Sequence, residues 1–174
     1  MGSPKHLIEW RGETWLERIA KEVDQVAEEV FLAGGGAVPA SLENRTRLTD
    51  APGPPGPLAG LLAAFAERPD TAWLAVACDQ PLLTASALRW LVSERLPGVD
   101  AILPRLDQGC VEPFPGIYEP GSARALRVLA QEASRRRSLQ RLPDLVRVAS
   151  PLIPANLREQ FRGANSPREL AELG

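Results

Sequence analysis

The chain is poor in the residues on which several common chemistries depend: its 174 residues include one histidine, one tyrosine, one methionine and two cysteines. Cys78 and Cys110 are too few for a disulfide scaffold and suit a reducing cytoplasm. No CxxC or HxxxH spacing occurs, which argues against a zinc site. His6 stands alone beside the N-terminus, so Ser–His–Asp or Cys–His machinery has a single candidate base. Neither GxGxxG nor GxxxxGK(S/T) is present, since Gly34-Gly35-Gly36 lacks the second half of either; dinucleotide oxidoreductases and P-loop enzymes recede. No apolar run approaches the roughly 20 residues of a membrane span. The opening Met1-Gly2-Ser3-Pro4-Lys5-His6 has neither the apolar core of a signal peptide nor the Ser or Thr at the sixth position expected for myristoylation. A basic excess is lacking as well, because 20 Lys and Arg face 22 Asp and Glu for a net charge of −2, so no nucleic-acid or membrane partner is expected.

What is present is ordinary globular material, 44% hydrophobic and 24% charged, of a length that suits one domain over residues 1–174. Val30-Phe31-Leu32-Ala33 and Trp73-Leu74-Ala75-Val76-Ala77-Cys78 are short continuous apolar runs ended by glycine or aspartate, as for strands covered on both faces. Ala101-Ile102-Leu103 and Gly116-Ile117-Tyr118 are further strand candidates. Between them run segments of helical period. Trp15, Ile19, Val23 and Val26 form one stripe; Leu58, Leu61, Leu62 and Phe65 follow Pro57; Leu88, Leu91 and Val92 follow the plausible cap Thr84. Further amphipathic stretches cover about 122–133, 138–147 and 167–173. This alternation predicts an α/β fold, a three-layer and mostly parallel sheet with helices on both faces, cytoplasmic, with ligands at the carboxyl ends of its strands. Such a sheet usually opens with a strand, whereas this chain reads as a polar turn passing straight into a helix. A sheet without its first strand is therefore expected.

Asp79, directly after a buried strand, stands where oxygen ligands can hold a hard cation; the plainer reading is that it ends the strand or caps the next helix. Asp50, ahead of the Pro/Gly loop, reads first as an Asx-turn former. The loop from Gly53 to Gly60 brings backbone near the surface and opens a helix, a suitable place for an anion or a flat base. Lys5 lies in a surface turn. Arg135-Arg136-Arg137 reads as a solvated helix end or as a phosphate clamp.

Taken in order, these pieces resemble the molybdenum cofactor guanylyltransferase (MobA-type) family of nucleotidyltransferases. Met1-Gly2-Ser3-Pro4-Lys5 resembles the last five positions of its phosphate loop, LAGGxSxRMGxxK. Leu7 to Gly12 is similar to the short strand-turn that follows. Asp50 with Gly56-Pro57-Leu58-Ala59-Gly60 is similar to the family's D…GPLAG element, and Ala77-Cys78-Asp79-Gln80-Pro81 to its xCDxP metal element. Glu112 to Tyr118 resembles (E/H/Q)PLxALY, Ser138-Leu139 after the arginines resembles RSL, and Phe161 through Asn165 to Leu170 resembles the closing F.NxNTPEDL. The likeness covers essentially the whole chain, and GPLAG with CDxP at this separation is its most specific part.

The resemblance implies that GMP is transferred from GTP to molybdopterin or its molybdenum form, with Mg²⁺ (or Mn²⁺) as cofactor. It implies Lys5 and Asp79 as catalytic residues, Asp79 as the metal ligand, and Asp50, Gly56, Pro57 and Leu58 beside the nucleotide. Glu112, Arg136 and Asn165 are implied toward the molybdopterin substrate, and molybdoenzyme apoproteins or their chaperones as partners. The departures are the family's first strand and LAGGxSxR, which have no counterpart ahead of Met1, and its asparagine after the second strand, replaced around Ala33-Gly34. A start codon set inside the motif is the expectation. Cytidylyl transfer, nucleotidyl transfer to a sugar phosphate, and a non-catalytic cofactor-binding module are the alternatives.

Overall fold

The computed structural model describes residues 4–54, 56–107, 109–132, 138–164 and 169. The chain does not pass straight from a polar turn into a helix. A 3₁₀ turn at Lys5–Leu7 leads into a small antiparallel hairpin, β1 (Glu9–Trp10) and β2 (Glu13–Thr14). Its two-residue turn puts Arg11 and Gly12 at φ 54° and 85°, the primed geometry that matches strand twist. Strands of two residues carry no alternation to read, which is why periodicity misses them.

Helix α1 (Trp15–Asp24) begins with a capping box: the Thr14 hydroxyl accepts from Glu17 N at 3.2 Å, and the Glu17 carboxylate accepts from Thr14 N at 2.8 Å. Hydrogen bonds from Ser41 and Thr14 hold the Glu17 carboxyl below its ordinary range. The expected stripe is buried at Trp15, Ile19 and Val23. Strands β3 (Leu32–Ala33) and β4 (Arg47–Leu48) pair in parallel. They are followed by α2 (Pro57–Glu67), β5 (Trp73–Ala75), α3 (Ala85–Ser93), β6 (Ala101–Ile102), β7 (Gly116–Tyr118), α4 (Ala123–Gln131) and β8 (Val148–Ala149).

The larger piece of sheet has the order β5-β7-β6-β8. β7 is antiparallel to both neighbours and β6 is parallel to β8, so β5, β6 and β8 share one direction and β7 alone opposes them. The fold is thus α/β and Rossmann-like, with a mixed sheet. Pairing of β5 stops at Ala75 opposite Gly116 because the next partner, Pro115, has no N–H to give. The expected strand over 73–78 is therefore paired over its first half only.

Side chains alternate across this layer. Leu74 and Val76 pack toward Ile19, Val23 and Leu88 of α1 and α3. Trp73 and Ala75 pack toward Leu61, Leu126 and Leu129 of α2 and α4. One helical expectation is corrected: within 138–147 the chain forms a 3₁₀ helix, Leu139–Asp144, because Pro143 sits inside it and cannot donate to a longer turn. The stretch 167–173 lies outside the described residues apart from Glu169. Among the described residues no helix is long and apolar enough to cross a membrane.

Candidate functional site

The loop after β5 is fixed from several sides. Ala164 N donates to Asp79 O at 2.8 Å, Leu83 N to Gln80 O at 3.0 Å, and the Arg18 guanidinium to Pro81 O. Gln80 is buried, and its Nε2 donates to Phe114 O at 2.8 Å and Phe161 O at 2.9 Å. With its backbone held, Asp79 presents a carboxylate that remains 39% exposed. It caps no helix: α3 is capped by Thr84, whose hydroxyl accepts from Ala87 N. The neighbouring Cys78 thiol is pushed up from its ordinary pKa by burial and by the Asp79 charge, so it is kept as a thiol.

Lys5 reaches this carboxylate from the opening 3₁₀ turn, with Nζ 3.6 Å from Asp79 Oδ2. The turn is braced at its next residue, where His6 Nε2 meets Ala37 O at 2.9 Å in the loop after β3. The histidine is a strut there, its ring nitrogen occupied by a carbonyl.

Asp50 follows β4 and is exposed. Among the described residues its carboxylate accepts no hydrogen bond, so it forms no Asx turn. It lies against α2 where residue 60 is glycine: a Cβ there would stand 3.0 Å from Ala33 Cβ and 3.9 Å from Asp50 Oδ1. Glycine at this position lets the helix approach β3 closely. α2 itself begins at Gly56 without a side-chain cap; Pro57 has no N–H and Ala59 N already donates to Gly56 O at 2.9 Å, so what this end offers an anion is the positive end of the helix dipole.

Lys5, Asp50, Gly56, Pro57 and Asp79 all line one cavity of about 820 Å³. Leu58 does not; it is 3% exposed and packs in the core with Leu61 and Phe65. Glu112 is half-buried in the loop between β6 and β7 and is not part of this wall; burial, then the Asp107 charge, pushes its carboxyl up. Arg136 and Asn165 lie outside the described residues. Sequence reasoning missed Arg47 of β4, which lines the same cavity and donates to Gly36 O at 2.7 Å. A two-residue strand inside a polar stretch gave no signal for it.

Among the described residues no three His, Cys, Asp or Glu side chains gather as a closed metal cage. One carboxylate at Asp79, with Asp50 on the same cavity, instead fits Mg²⁺, which takes one or two carboxylates and completes its shell with water and substrate phosphates. An ammonium, a rigidly held carboxylate and an uncapped helix N-terminus around one cavity can align a polyphosphate and neutralise it.

This fold and this edge are those of an α/β nucleotidyltransferase. The profile of the family described as "MobA-like NTP transferase domain" matches residues 1–147, and the chain belongs to that family. It is 32% identical over 131 residues to a probable molybdenum cofactor guanylyltransferase of Pelotomaculum thermopropionicum, covering 72% of this chain and 60% of that protein. A molybdenum cofactor biosynthesis bifunctional protein of Synechocystis is 31% identical over 126 residues, covering 69% of this chain and 35% of the relative. The chain thus spans less than two thirds of either relative's length. The crystal structure of molybdopterin-guanine dinucleotide biosynthesis protein A from Archaeoglobus fulgidus superposes with a TM-score of 0.76 at 18% identity, over 97% of this chain and 88% of that one. The 2-C-methyl-D-erythritol 4-phosphate cytidylyltransferase of Thermus thermophilus does so at 0.69 and 17% identity, over 99% and 92%. These two likenesses establish the shared fold.

Proposed function

We propose that the chain transfers GMP from Mg-GTP to molybdopterin or molybdenum-molybdopterin, forming the guanine dinucleotide and releasing pyrophosphate. The observation that carries this reading is the Lys5–Asp79 pair, 3.6 Å apart at the cavity that also holds Asp50 and the start of α2. The names of the curated relatives, a probable molybdenum cofactor guanylyltransferase and a molybdenum cofactor biosynthesis bifunctional protein, support this choice of reaction.

The terminal phosphate oxygen of molybdopterin attacks the α-phosphorus of GTP, the bond from that phosphorus to the bridging oxygen breaks, and pyrophosphate leaves with the electron pair. No covalent enzyme intermediate is needed. Lys5 neutralises charge that grows on the departing phosphates, and Asp50 and the loop from Gly56 position the nucleoside. Asp79 would hold Mg²⁺ (or Mn²⁺), which supplies charge neutralisation of the phosphate oxygens when bound. Glu112, Arg136 and Asn165 are assigned to the molybdopterin side, molybdoenzyme apoproteins or their chaperones receive the product, and the reaction belongs to the cytoplasm.

The test is a titration of the chain with Mg-GTP and with Mg-CTP, followed by molybdopterin with pyrophosphate release as the readout. GTP binding and GTP-dependent release are expected. A preference for CTP turns the reading to cytidylyl transfer. Molybdopterin binding without either nucleotide turns it to a non-catalytic module.

A further inference from the structure

Both groups of the Lys5–Asp79 pair hang from one helix. Lys5 O accepts from Ile8 N at 3.1 Å, and Ile8 O accepts at 3.0 Å from Trp15 N, at the first residue of α1. The turn that carries the ammonium is thereby bonded to the start of that helix. The segment after Asp79 is bonded further along it. The Arg18 guanidinium donates through Nε to Pro81 O, the Glu22 carboxylate accepts from Ala85 N at 2.7 Å, and Gln25 O accepts from Arg89 Nη2 at 3.4 Å.

These three contacts keep one register. Their partners lie 63, 63 and 64 residues apart, and they fall at successive turns of α1. The helix therefore runs in the same direction as the chain from Pro81 into α3. Ile19 and Val23 pack with Leu83, Ala87 and Leu88 in one buried cluster. Apolar packing is non-directional, so it brings α1 and α3 together without fixing how far one slides along the other. Hydrogen bonds at a four-residue repeat do fix it, because each requires a narrow distance and angle.

Arg18 is itself held in place. Its Nη1 lies 3.6 Å from Glu13 Oε1 of β2, and its guanidinium stands over the Trp10 ring of β1 at 5.0 Å. A planar fork of five N–H donors lets this one side chain stack on the hairpin and still bond the loop; an ammonium is a single point of charge. At the next turn Glu22 satisfies the first N–H of α3, an otherwise orphaned donor at the end of the helix that favours a negative charge. Neither Arg18 nor Glu22 lines the cavity, so neither meets a ligand there.

We propose that Arg18 and Glu22 are positioning residues of the transfer site: one turn apart on α1, they set the register of the Pro81–Ala85 segment and through it the place of the Asp79 carboxylate opposite Lys5. Gln80 ties the same loop to Phe114 O and Phe161 O, and α1 decides where along its own length that loop stands. The inference rests on the reading of Asp79 as the group that holds the cation of the nucleotide substrate.

The test uses the thiol beside Asp79. Cys110→Ser leaves Cys78 as the only cysteine, and Cys78 is partly buried. In that background Arg18→Met keeps an unbranched stem and loses the donors, whereas Arg18→Lys keeps a charge and a donor. Glu22→Ala removes the acceptor and Glu22→Gln keeps one. Leu142→Ala opens a cavity in the core packed around α4, lowering global stability away from this loop.

Cys78 alkylation by iodoacetamide is timed at fixed pH, well below Tm and without nucleotide, and pyrophosphate release from Mg-GTP and molybdopterin gives kcat and KM. Arg18→Met and Glu22→Ala are expected to speed alkylation at least about 10-fold, the mark of a local opening. They are expected to lower kcat by about 10- to 100-fold with a smaller change in KM, as when a reacting group is misplaced. Arg18→Lys and Glu22→Gln should recover part of both, and Leu142→Ala should move neither. Unchanged alkylation in Arg18→Met and Glu22→Ala would overturn the proposal. So would alkylation and kcat that simply follow Tm across the variants, Leu142→Ala included. A parent chain that releases no pyrophosphate overturns the functional reading instead, and alkylation then decides whether α1 sets the loop.

Discussion

Lys5 holds its ammonium 3.6 Å from the Asp79 carboxylate, joining the turn ahead of the β1–β2 hairpin to the loop after β5. Both side chains are well exposed, at 47% and 39%, so the pair adds at most about 1 kcal/mol to stability. Its consequence is electrostatic: one positive and one negative group stand side by side where a polyphosphate and its cation require opposite partners.

Asp79→Ala is expected to abolish nucleotidyl transfer while moving Tm by less than about 3 °C, the shift that loss of an exposed ion pair produces in a chain of this size. Pyrophosphate release and a thermal melt on the same preparation check it. A fall of many degrees would assign Asp79 to the fold.

Lys5→Ala is expected to lower the turnover rate by on the order of 10²-fold, the loss seen when a group that meets developing charge is removed. Lys5→Arg keeps the charge and should recover part of that rate. Steady-state kinetics at fixed ionic strength decide it, and equal defects in both variants would remove charge neutralisation as the role.

Gln80→Leu strips the donors from two carbonyls, Phe114 O and Phe161 O. The expected cost is about 2–4 kcal/mol, read from the denaturant midpoint at unchanged slope. Turnover should fall too, because the same side chain anchors the loop that aims Asp79.

Gly60→Val places a branched side chain where even a Cβ stands 3.0 Å from Ala33 Cβ. A destabilisation of about 1–3 kcal/mol is expected from overpacking. KM for the nucleotide should rise because Asp50 borders the same position. Gly60→Ala should show a smaller version of both effects.

Glu112 supplies a pH dependence of definite sign. Its folded-state pKa is raised, by burial first and Asp107 second, so folding favours its protonated form. That contribution is fully present below the unfolded-state pKa and is lost as pH rises through the folded-state value. Glu112→Gln should therefore match the parent at low pH and exceed it slightly at neutral pH. Urea midpoints measured across the range check this, and a variant less stable at neutral pH would mean that the ionised carboxylate has a partner.

The sequence by itself determined the α/β class and most of the helices, because each depends on local quantities. The 3.6-residue stripe of Trp15, Ile19 and Val23, the cap at Thr84 and Pro57 in the first turn of α2 are all legible within a few residues. It also raised Asp79 and Asp50 as candidates, Asp79 by its place directly after a buried strand and Asp50 only through its likeness to the D…GPLAG element. Only the tertiary structure decided that β7 runs against its neighbours, that Leu58 belongs to the core, and that Arg47 joins the cavity. It alone brought Lys5 to Asp79. Strand direction, the facing of a side chain and the meeting of distant charges are set by which surfaces bury each other, and hydrophobic periodicity says that a face is buried without saying against what.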